Sequence, residues 1–302
     1  MTNEQRLKNL AVPEGKIDVV LDTDTYNEID DQFALAYLLR SDDKLDTKAI
    51  YAAPFFNQHS ESPADGMEKS YEEIKKVLSL MGEERQVFKG SDRYLPDEST
   101  PVPSPAAEDL IERARLYSPE KPLYVVAIGA ITNVASALIK APEIAENIVI
   151  VWLGGNARHY HDTKEFNMQQ DIAAARVVMN SGAPFVQLPC MGAVSTFTVS
   201  APELEYWLKD KNPLADYLAR NTIKEAEAYA SGKPWTRVIW DVTAVAWLIN
   251  DKNRFMLSRI EKTRLPSYDH HYEEKDTGTD MRYVYHIWRD RLMEDLVNKL
   301  LK

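Results

Sequence analysis

The sequence predicts an α/β protein with a mostly parallel central sheet flanked by helices, in a Rossmann-like arrangement. Short apolar segments alternate with amphipathic helical segments from the N-terminal region as far as Cys190. A strand followed by one helix and a second strand forms a parallel pair through a right-handed crossover. Residues 148–153, with the sequence IVIVWL, are apolar throughout, as expected of a strand that helices cover on both faces.

Each predicted element follows from this alternation. Strands are expected at residues 16–21, 47–52, 86–89, 123–128, 148–153 and 184–188. Helices are expected between and after them, at residues 31–40, 66–80, 105–117, 133–140 and 171–181. Gly82 ends the second helix, and Ser104 with Pro105 begins the third, because these residue types favour helix ends. After residue 200 the sequence is mostly helical, and the polar stretch 266–280 is expected to be a loop.

Length and composition predict one globular domain. The chain has 302 residues, of which 44% are hydrophobic and 27% charged, and α/β sheets often reach this length as one domain. No linker or repeat interrupts the pattern, so residues 1–302 are predicted to form a single domain. The net charge of -11 lacks the basic surface that nucleic-acid binding requires, so a nucleic-acid partner is not expected.

The single cysteine and the N-terminal segment predict a cytoplasmic location. Cys190 has no intrachain partner for a disulfide, which suits a reducing compartment, and it is expected to be a buried small apolar residue. The first residues are polar and lack the apolar core of a signal peptide. No segment approaches the roughly 20 apolar residues that span a bilayer, so no membrane partner is expected.

The segment after the first strand is unusually acidic. Five acidic residues occupy ten positions there: Asp22, Asp24, Glu28, Asp30 and Asp31. Asp30 and Asp31 begin a helix, where carboxylates can serve as capping residues. Capping does not explain Asp22 and Asp24, which follow a buried strand directly. Since mutual repulsion would be costly without a compensating cation, this cluster predicts a divalent metal site, with Ca²⁺ favoured by oxygen ligands.

One family resemblance covers only this segment. Residues 19–25, VVLDTDT, resemble the opening of the haloacid-dehalogenase-like phosphatases, a strand followed by D-x-D-x-T. The resemblance implies that Asp22 is a phosphoryl nucleophile and Asp24 an acid or base. The later lysine and acidic pair of that family have no convincing counterpart, so this interpretation is the alternative.

A broader resemblance extends from residue 17 to residue 250. Several short motifs resemble, in order, those of the nucleoside hydrolase family. They are D-x-D and D-D after the first strand, G-A-I-T-N at 129–133, G-G at 154–155 with K-E-F-N at 164–167, and W-D at 240–241. The resemblance implies the nucleoside hydrolase version of the α/β fold. Two features depart from the family pattern. The spacer 25–29 is two residues longer than usual, and Trp240 stands where many members have histidine.

The resemblance also implies residue roles. Asp24, Asp31 and Asp241 would be metal carboxylates, with the Ile128 carbonyl as a main-chain ligand. Asp24 would in addition be the catalytic base that takes a proton from a water held by the metal, and Asp22 would support its neighbours. Residues implied to contact the substrate are Asp30, Asn57, His159, Glu165, Asn167 and Trp240. Taken alone, Asp241 would more readily be interpreted as the cap of the helix that follows it, and capping is compatible with metal binding.

This interpretation leaves open how the departing base is activated and which residue would protonate it. Trp240 can stack on a base but cannot supply a titratable proton. The acid would then be another residue, with His159, His161 and His286 as candidates, or stacking would activate the base. Asn156 and His161 are alternatives to His159 in the sugar contact. Two aromatic residues beside a Gly-Pro turn, Tyr229 and Trp235, are either a mobile lid or ordinary core.

The predicted function is metal-dependent hydrolysis of the N-glycosidic bond of a ribonucleoside, giving free base and ribose. It implies a small-molecule nucleoside partner, a place in purine or pyrimidine salvage, and a homodimer or homotetramer. Two alternatives stay open: the phosphatase, and a non-catalytic relative that binds nucleoside or ribose.

Overall fold

A computed structural model describes residues 1–302. The strands are β1 (Ile17–Thr23), β2 (Leu45–Ala52), β3 (Val87–Lys89), β4 (Leu123–Ala127), β5 (Ile148–Leu153), β6 (Phe185–Leu188), β7 (Thr198–Ser200), β8 (Thr236–Val238), β9 (Met256–Lys262) and β10 (Asp280–Ile287). The helices are α1 (Asn3–Asn9), α2 (Asp31–Leu39), α3 (Pro63–Met81), α4 (Pro105–Ala114), α5 (Thr132–Lys140), α6 (Phe166–Gln170), α7 (Ile172–Asn180), α8 (Ala201–Trp207), α9 (Pro213–Ala230), α10 (Val242–Leu248) and α11 (Arg289–Leu300).

Eight of the strands form one sheet in the order β3-β2-β1-β4-β5-β6-β10-β9. All neighbouring pairs are parallel except β10 with β9. The short strands β7 and β8 pair separately as an antiparallel ribbon. The predicted mostly parallel α/β sheet with flanking helices is therefore confirmed.

Helices cover both faces of this sheet, as the apolar strands require. On β1, Val19 and Leu21 pack into one apolar cluster, and the intervening Val20 packs into the other. The alternation follows from the period of two along a strand. Trp152 of β5 and Trp247 of α10 are fully buried in these two clusters. None of the helices has the length and apolar character needed to cross a membrane.

Helix ends follow local capping signals. The hydroxyl of Ser62 accepts the N–H of Asp65, and Gly82 closes α3 in the left-handed conformation at φ 66°. The hydroxyl of Ser104 likewise accepts the N–H of Ala107 at the start of α4. Both arrangements satisfy backbone groups that a helix end leaves without partners. The observed bounds of α3 and α4 differ from the predicted ones by only a few residues.

The C-terminal third differs from the sequence prediction in its strands. Four helices lie there, but so do β8, β9 and β10, which were not predicted. Elsewhere in the chain α1, α6 and β7 were missed as well. Strand β9 carries Arg259, Glu261 and Lys262 and lies at the edge of the sheet, where charged side chains remain in water. Its sequence therefore lacks the apolar signal of a buried strand. The polar stretch 266–280 is a connection between the two strands, and only Asp280 belongs to β10.

The strand order reverses between β1 and β4. The chain proceeds from β1 to β2 and β3 on one side, and from β4 to β5 and β6 on the other. Ligand sites of open parallel sheets lie beyond the carboxyl ends of the strands at such a point. The N–H of Ile128, directly after β4, donates to the carbonyl of Asp22 at 2.8 Å. This contact brings the acidic segment after β1 beside the loop after β4.

Candidate active site

Five aspartates meet at this switch point. Asp22 and Asp24 end β1 or follow it, Asp30 and Asp31 lie at the start of α2, and Asp241 precedes α10. All five are buried, with at most 4% of any residue exposed. One carboxylate oxygen from each of Asp30, Asp31 and Asp241 lies within 4.8 Å of the other two. Like charges so close together require either protonation or a cation.

Asp24 has no partner for either carboxylate oxygen. Both oxygens are buried without a hydrogen bond. Burial, followed by the charges of Asp31 and Asp30, raises the pKa of Asp24 well above its ordinary value. Gly129 leaves the room that this side chain needs, because a β-carbon at that position would lie 3.0 Å from Cγ of Asp24. A buried carboxylate with two unpaired oxygens beside other acids fits a divalent cation.

Asp31 and Asp241 are also buried carboxyl groups whose pKa values are raised. The Thr23 hydroxyl donates to Asp31 at 2.5 Å, yet burial still raises the pKa of Asp31 to about 6. Burial raises the pKa of Asp241 well above its usual range, and the charges of Asp30 and Asp31 add to this. The donor set consists of oxygen atoms, which suits a hard cation such as Ca²⁺.

Asp22 is held by a hydrogen bond from Asn133. Its Oδ1 accepts the Asn133 amide at 2.7 Å, whereas its Oδ2 is buried without a partner. Oδ1 of Asn133 in turn accepts the N–H and the hydroxyl of Ser91, at 2.7 and 2.9 Å. Burial raises the pKa of Asp22 to about 7. The bond from Asn133 occupies an oxygen of Asp22, which does not favour the phosphatase alternative, in which Asp22 must attack a phosphoryl group.

A cleft of about 220 Å³ opens above the cluster. Its wall contains six of the residues that the family resemblance assigns to the metal or the substrate: Asp30, Ile128, Glu165, Asn167, Trp240 and Asp241. Asp24 and Asp31 are not on the wall, but their charges act on Asp241. The structure therefore joins the acidic cluster to an open cavity whose wall carries both Trp240 and the K-E-F-N segment.

The K-E-F-N segment is anchored by its own side chains. Glu165 accepts the N–H groups of Gly155, Asn167 and Met168 at 2.7, 2.9 and 3.0 Å. The amide of Asn167 donates to the carbonyls of Ile128 and Leu153, at 3.2 and 3.0 Å. Glu165 therefore caps α6 while it lines the cleft. The Ile128 carbonyl keeps a second lone pair, because a carbonyl oxygen accepts two hydrogen bonds.

Two predicted sugar contacts lie away from the cleft wall. Asn57 is behind the wall, and its amide donates to Oδ1 of Asn27 at 2.6 Å. His159 is exposed, with its ring against Gly192. Asn156, one of the alternatives to His159, does line the cleft, and its Oδ1 accepts the N–H of Met191 at 3.2 Å.

The remaining residues considered for the leaving group also lie off this wall. His161 is exposed and lies near Asp162. His286 of β10 packs edge-on to Trp288. Tyr229 is 61% exposed and Trp235 packs at the margin of the core, so neither lines the cleft. Cys190 is buried, as predicted.

Several cleft residues were given no role by the sequence analysis. They are Asn27, Glu28, Lys164, Phe166 and Met191. Lys164 and Phe166 belong to the K-E-F-N motif, so their position was a usable signal. Asn27 and Glu28 lie within the lengthened spacer, where no motif marked them.

Comparisons with known proteins agree with this geometry. The model of the family described as inosine-uridine preferring nucleoside hydrolase matches residues 19–288. A non-specific ribonucleoside hydrolase RihC from Salmonella paratyphi B is 30% identical over 160 residues, which is 52% of this chain and 50% of that protein. The chain thus spans about half the length of the curated relatives it matches.

Solved structures share the fold over nearly the whole chain. A purine-preferring ribonucleoside hydrolase from Gardnerella vaginalis has a TM-score of 0.72 and 20% identity, covering 94% of this chain and 98% of its own. The type III effector XopQ, solved with adenosine diphosphate ribose, has a TM-score of 0.71 and 17% identity, covering 100% of this chain and 99% of its own. Together with the family match over residues 19–288, the motifs at the switch point establish that this chain belongs to the inosine-uridine preferring nucleoside hydrolase family.

Proposed function

We propose that the chain is an N-glycosyl hydrolase that cleaves a ribonucleoside into free base and ribose with the aid of a divalent cation, Ca²⁺ by preference. The observation that carries this proposal is Asp24, a buried carboxylate with two unpaired oxygens among four further buried aspartates at the floor of a cleft. Family membership supports the reaction class. The donor set supports the cation, since oxygen ligands alone suit Ca²⁺.

The proposed cation ligands are Asp24, Asp31, Asp241 and the carbonyl of Ile128. A bound cation would supply a polarised water and would neutralise the buried charges. Asp24 accepts the proton of the attacking water, as a carboxylate beside a water held by the cation can. Asp22 takes no part in bonds to the substrate and holds the end of β1 in place through Asn133.

The proposed sugar contacts lie on the cleft wall. Asp30 accepts a hydrogen bond from a ribose hydroxyl, and Glu165 and Asn167 of the K-E-F-N segment contact the sugar as well. Asn57 and His159, also proposed from the family resemblance, would reach the sugar only through neighbours. A ribosyl group held in this way can develop the oxocarbenium character that departure of the base requires.

Trp240 lies on the cleft wall and is the proposed contact for the base. Its indole can stack on a purine or pyrimidine and exclude water, but it supplies no titratable proton. No histidine lies on the cleft wall. We therefore propose that stacking on Trp240 helps the base to leave.

Several wider assignments belong to the same proposal. They are a single domain over residues 1–302, a cytoplasmic location, a role in purine or pyrimidine salvage, and a homodimer or homotetramer. The lone buried Cys190 supports the reducing compartment.

A reducing-sugar assay tests the reaction. Inosine, uridine, adenosine and cytidine are incubated with the protein before and after removal of divalent ions, and Ca²⁺ is then added back. Ribose release should disappear with chelation, return with Ca²⁺, and be lost in Asp24→Asn. The matched control is Asp42→Asn, because Asp42 is exposed and remote from the cleft.

Other outcomes would point to the alternatives. Release of phosphate from p-nitrophenyl phosphate, lost in Asp22→Asn, would replace the proposal with the phosphatase. Tight binding of nucleoside or of adenosine diphosphate ribose without turnover would leave the non-catalytic relative.

A further inference from the structure

The connection between β9 and β10 contacts a loop of the cleft wall. The connection comprises residues 263–279, and the loop, residues 154–165, follows β5 and carries Asn156 and Glu165 to the wall. The aromatic ring of Tyr272, in the connection, packs against the apolar cluster on one face of the sheet. Its hydroxyl reaches the carbonyl of Asn156, although the two residues are 116 positions apart in sequence.

The hydrogen bonds of Tyr272 have a defined direction. The side-chain amide of Gln187 bonds to the carbonyl of Gly154 at 3.0 Å, and only the NH₂ end of an amide can donate to a carbonyl. The same nitrogen donates to the Tyr272 hydroxyl at 2.7 Å. The hydroxyl therefore accepts from Gln187, and it uses its own proton to donate to the carbonyl of Asn156 at 3.0 Å.

Gly155 makes this close approach possible. A β-carbon at that position would lie 2.5 Å from the Tyr272 hydroxyl oxygen, and the backbone has φ 74°, which favours glycine. The N–H of Gly155 donates to Glu165 at 2.7 Å, and its carbonyl accepts the N–H of Cys190 at 2.8 Å. The backbone beside Asn156 is thus committed to the loop, and the Asn156 carbonyl has Tyr272 as its partner.

The side chain of Asn156 depends on this backbone bond for its place on the wall. Its oxygen accepts the N–H of Met191 at 3.2 Å, and its nitrogen donates to the carbonyl of Asp162 at 3.2 Å. Both distances are at the upper end of the normal range. Asn156 is 2% exposed, so without Tyr272 its carbonyl would be buried and unpaired, and the turn would shift to satisfy it.

We infer that Tyr272 is a positioning residue for nucleoside binding, because its hydroxyl holds the Asn156 carbonyl and thereby places the Asn156 side chain on the cleft wall. Tyr272 does not line the cleft itself, so it acts through Asn156 and not on the ligand. The inference rests on the proposed function. It adds to the site a residue of the 263–279 connection, which carries none of the family motifs.

Tyr272→Phe removes the hydroxyl and keeps the ring. Calorimetry in Ca²⁺ measures binding of formycin B, an inosine analogue in which a carbon–carbon bond replaces the N-glycosidic bond, so turnover does not interfere. The variant should bind formycin B about tenfold more weakly, from the loss of one buried hydrogen bond. Its Ca²⁺ affinity should stay within about twofold of wild type, because the bonds of Tyr272 do not involve the aspartate cluster.

The matched control is Tyr117→Phe. It also removes one tyrosine hydroxyl bond, to Asp18 at 2.9 Å, but Asp18 lies near the start of β1 and the cleft lies beyond the carboxyl end of that strand. Tyr117→Phe should leave the affinities for formycin B and for Ca²⁺ unchanged.

Inosine kinetics distinguish positioning from a loss of folded protein. A smaller folded fraction lowers kcat and leaves KM unchanged. Positioning of the cleft wall predicts the opposite result for Tyr272→Phe, with KM raised about tenfold and kcat changed by less than about threefold. A fall in kcat at constant KM would therefore overturn the inference.

A double-mutant cycle tests whether Tyr272 acts through Asn156. Asn156→Ala removes the side chain that Tyr272 is inferred to place. Adding Tyr272→Phe to Asn156→Ala should then weaken formycin B binding by less than about threefold. A further tenfold loss would contradict the inferred route, because independent effects multiply.

The outcomes separate this inference from the proposed function. Unchanged formycin B binding in Tyr272→Phe, while wild type hydrolyses inosine, would overturn the inference and leave the hydrolase intact. Weaker binding in Tyr272→Phe without hydrolysis by wild type would do the reverse. Failure of wild type to bind formycin B would overturn the inference, and inosine hydrolysis would then decide the proposed function by itself.

Discussion

Replacing Asp31 by asparagine should change stability in opposite directions without and with Ca²⁺. Burial raises the pKa of Asp31 from 3.8 to about 6. A carboxyl group whose folded-state pKa is raised destabilises the fold as the pH rises from its unfolded value through its folded one. The shift of about two units corresponds to roughly 3 kcal/mol above pH 7 and about half of that near pH 5.

Asparagine carries no charge, so this penalty disappears in the variant. In chelator near pH 7.5, Asp31→Asn should unfold about 5 °C above wild type, with a smaller difference near pH 5. The Thr23 hydroxyl keeps an acceptor, because the amide retains an oxygen. With Ca²⁺ the order should reverse, since wild type gains the free energy of ion binding and the variant has lost one ligand.

Thermal unfolding followed by circular dichroism measures wild type and Asp31→Asn in chelator near pH 7.5, in chelator near pH 5 and in Ca²⁺, with Asp42→Asn as the surface control. An equal Ca²⁺-induced rise in wild type and Asp31→Asn would refute the assignment of Asp31 as a ligand. A variant less stable than wild type in chelator near pH 7.5 would refute the account of its buried charge.

Three further changes have defined outcomes. Gly129→Ala places a β-carbon 3.0 Å from Cγ of Asp24, so calorimetric Ca²⁺ affinity should fall about tenfold or more; unchanged affinity would contradict this. Asn133→Leu removes the donor to Asp22 and should lower the free energy of unfolding in urea by about 1–3 kcal/mol, whereas a neutral effect would speak against this support. Trp240→His introduces a group that titrates at about pH 6.5, so inosine hydrolysis should gain a limb that falls as the pH rises; an identical pH profile would argue against leaving-group assistance at this position.

The sequence was sufficient to predict the parts of the site whose functional residues lie close together along the chain. Asp22, Asp24, Asp30 and Asp31 are close along the chain and follow a buried strand, so their convergence could be predicted. Asp241 lies far along the chain from them, and only its motif connected it to the cluster. The parallel sheet followed from apolar strands separated by single helices, whereas the charged edge strand β9 carried no such pattern.

What the sequence could not supply depends on contacts between distant segments. The carbonyl of Asn156 is held by Tyr272, 116 residues away, through a bond that no local pattern records. Glu165 was predicted as a sugar contact from its motif, but its bonds to three N–H groups appear only in the folded loop. Asn57 was singled out for the sugar, whereas in the structure its amide donates to Oδ1 of Asn27.

The central claim is that the aspartate cluster activates water for attack at the sugar carbon. Hydrolysis of inosine in heavy-oxygen water (H₂¹⁸O) followed by prompt mass spectrometry tests it most directly, with free ribose incubated alongside to correct for exchange. The account predicts one heavy oxygen in ribose and none in hypoxanthine, with release abolished by chelation and in Asp24→Asn. Ribose release that survives chelation, or that persists in Asp24→Asn, would contradict it.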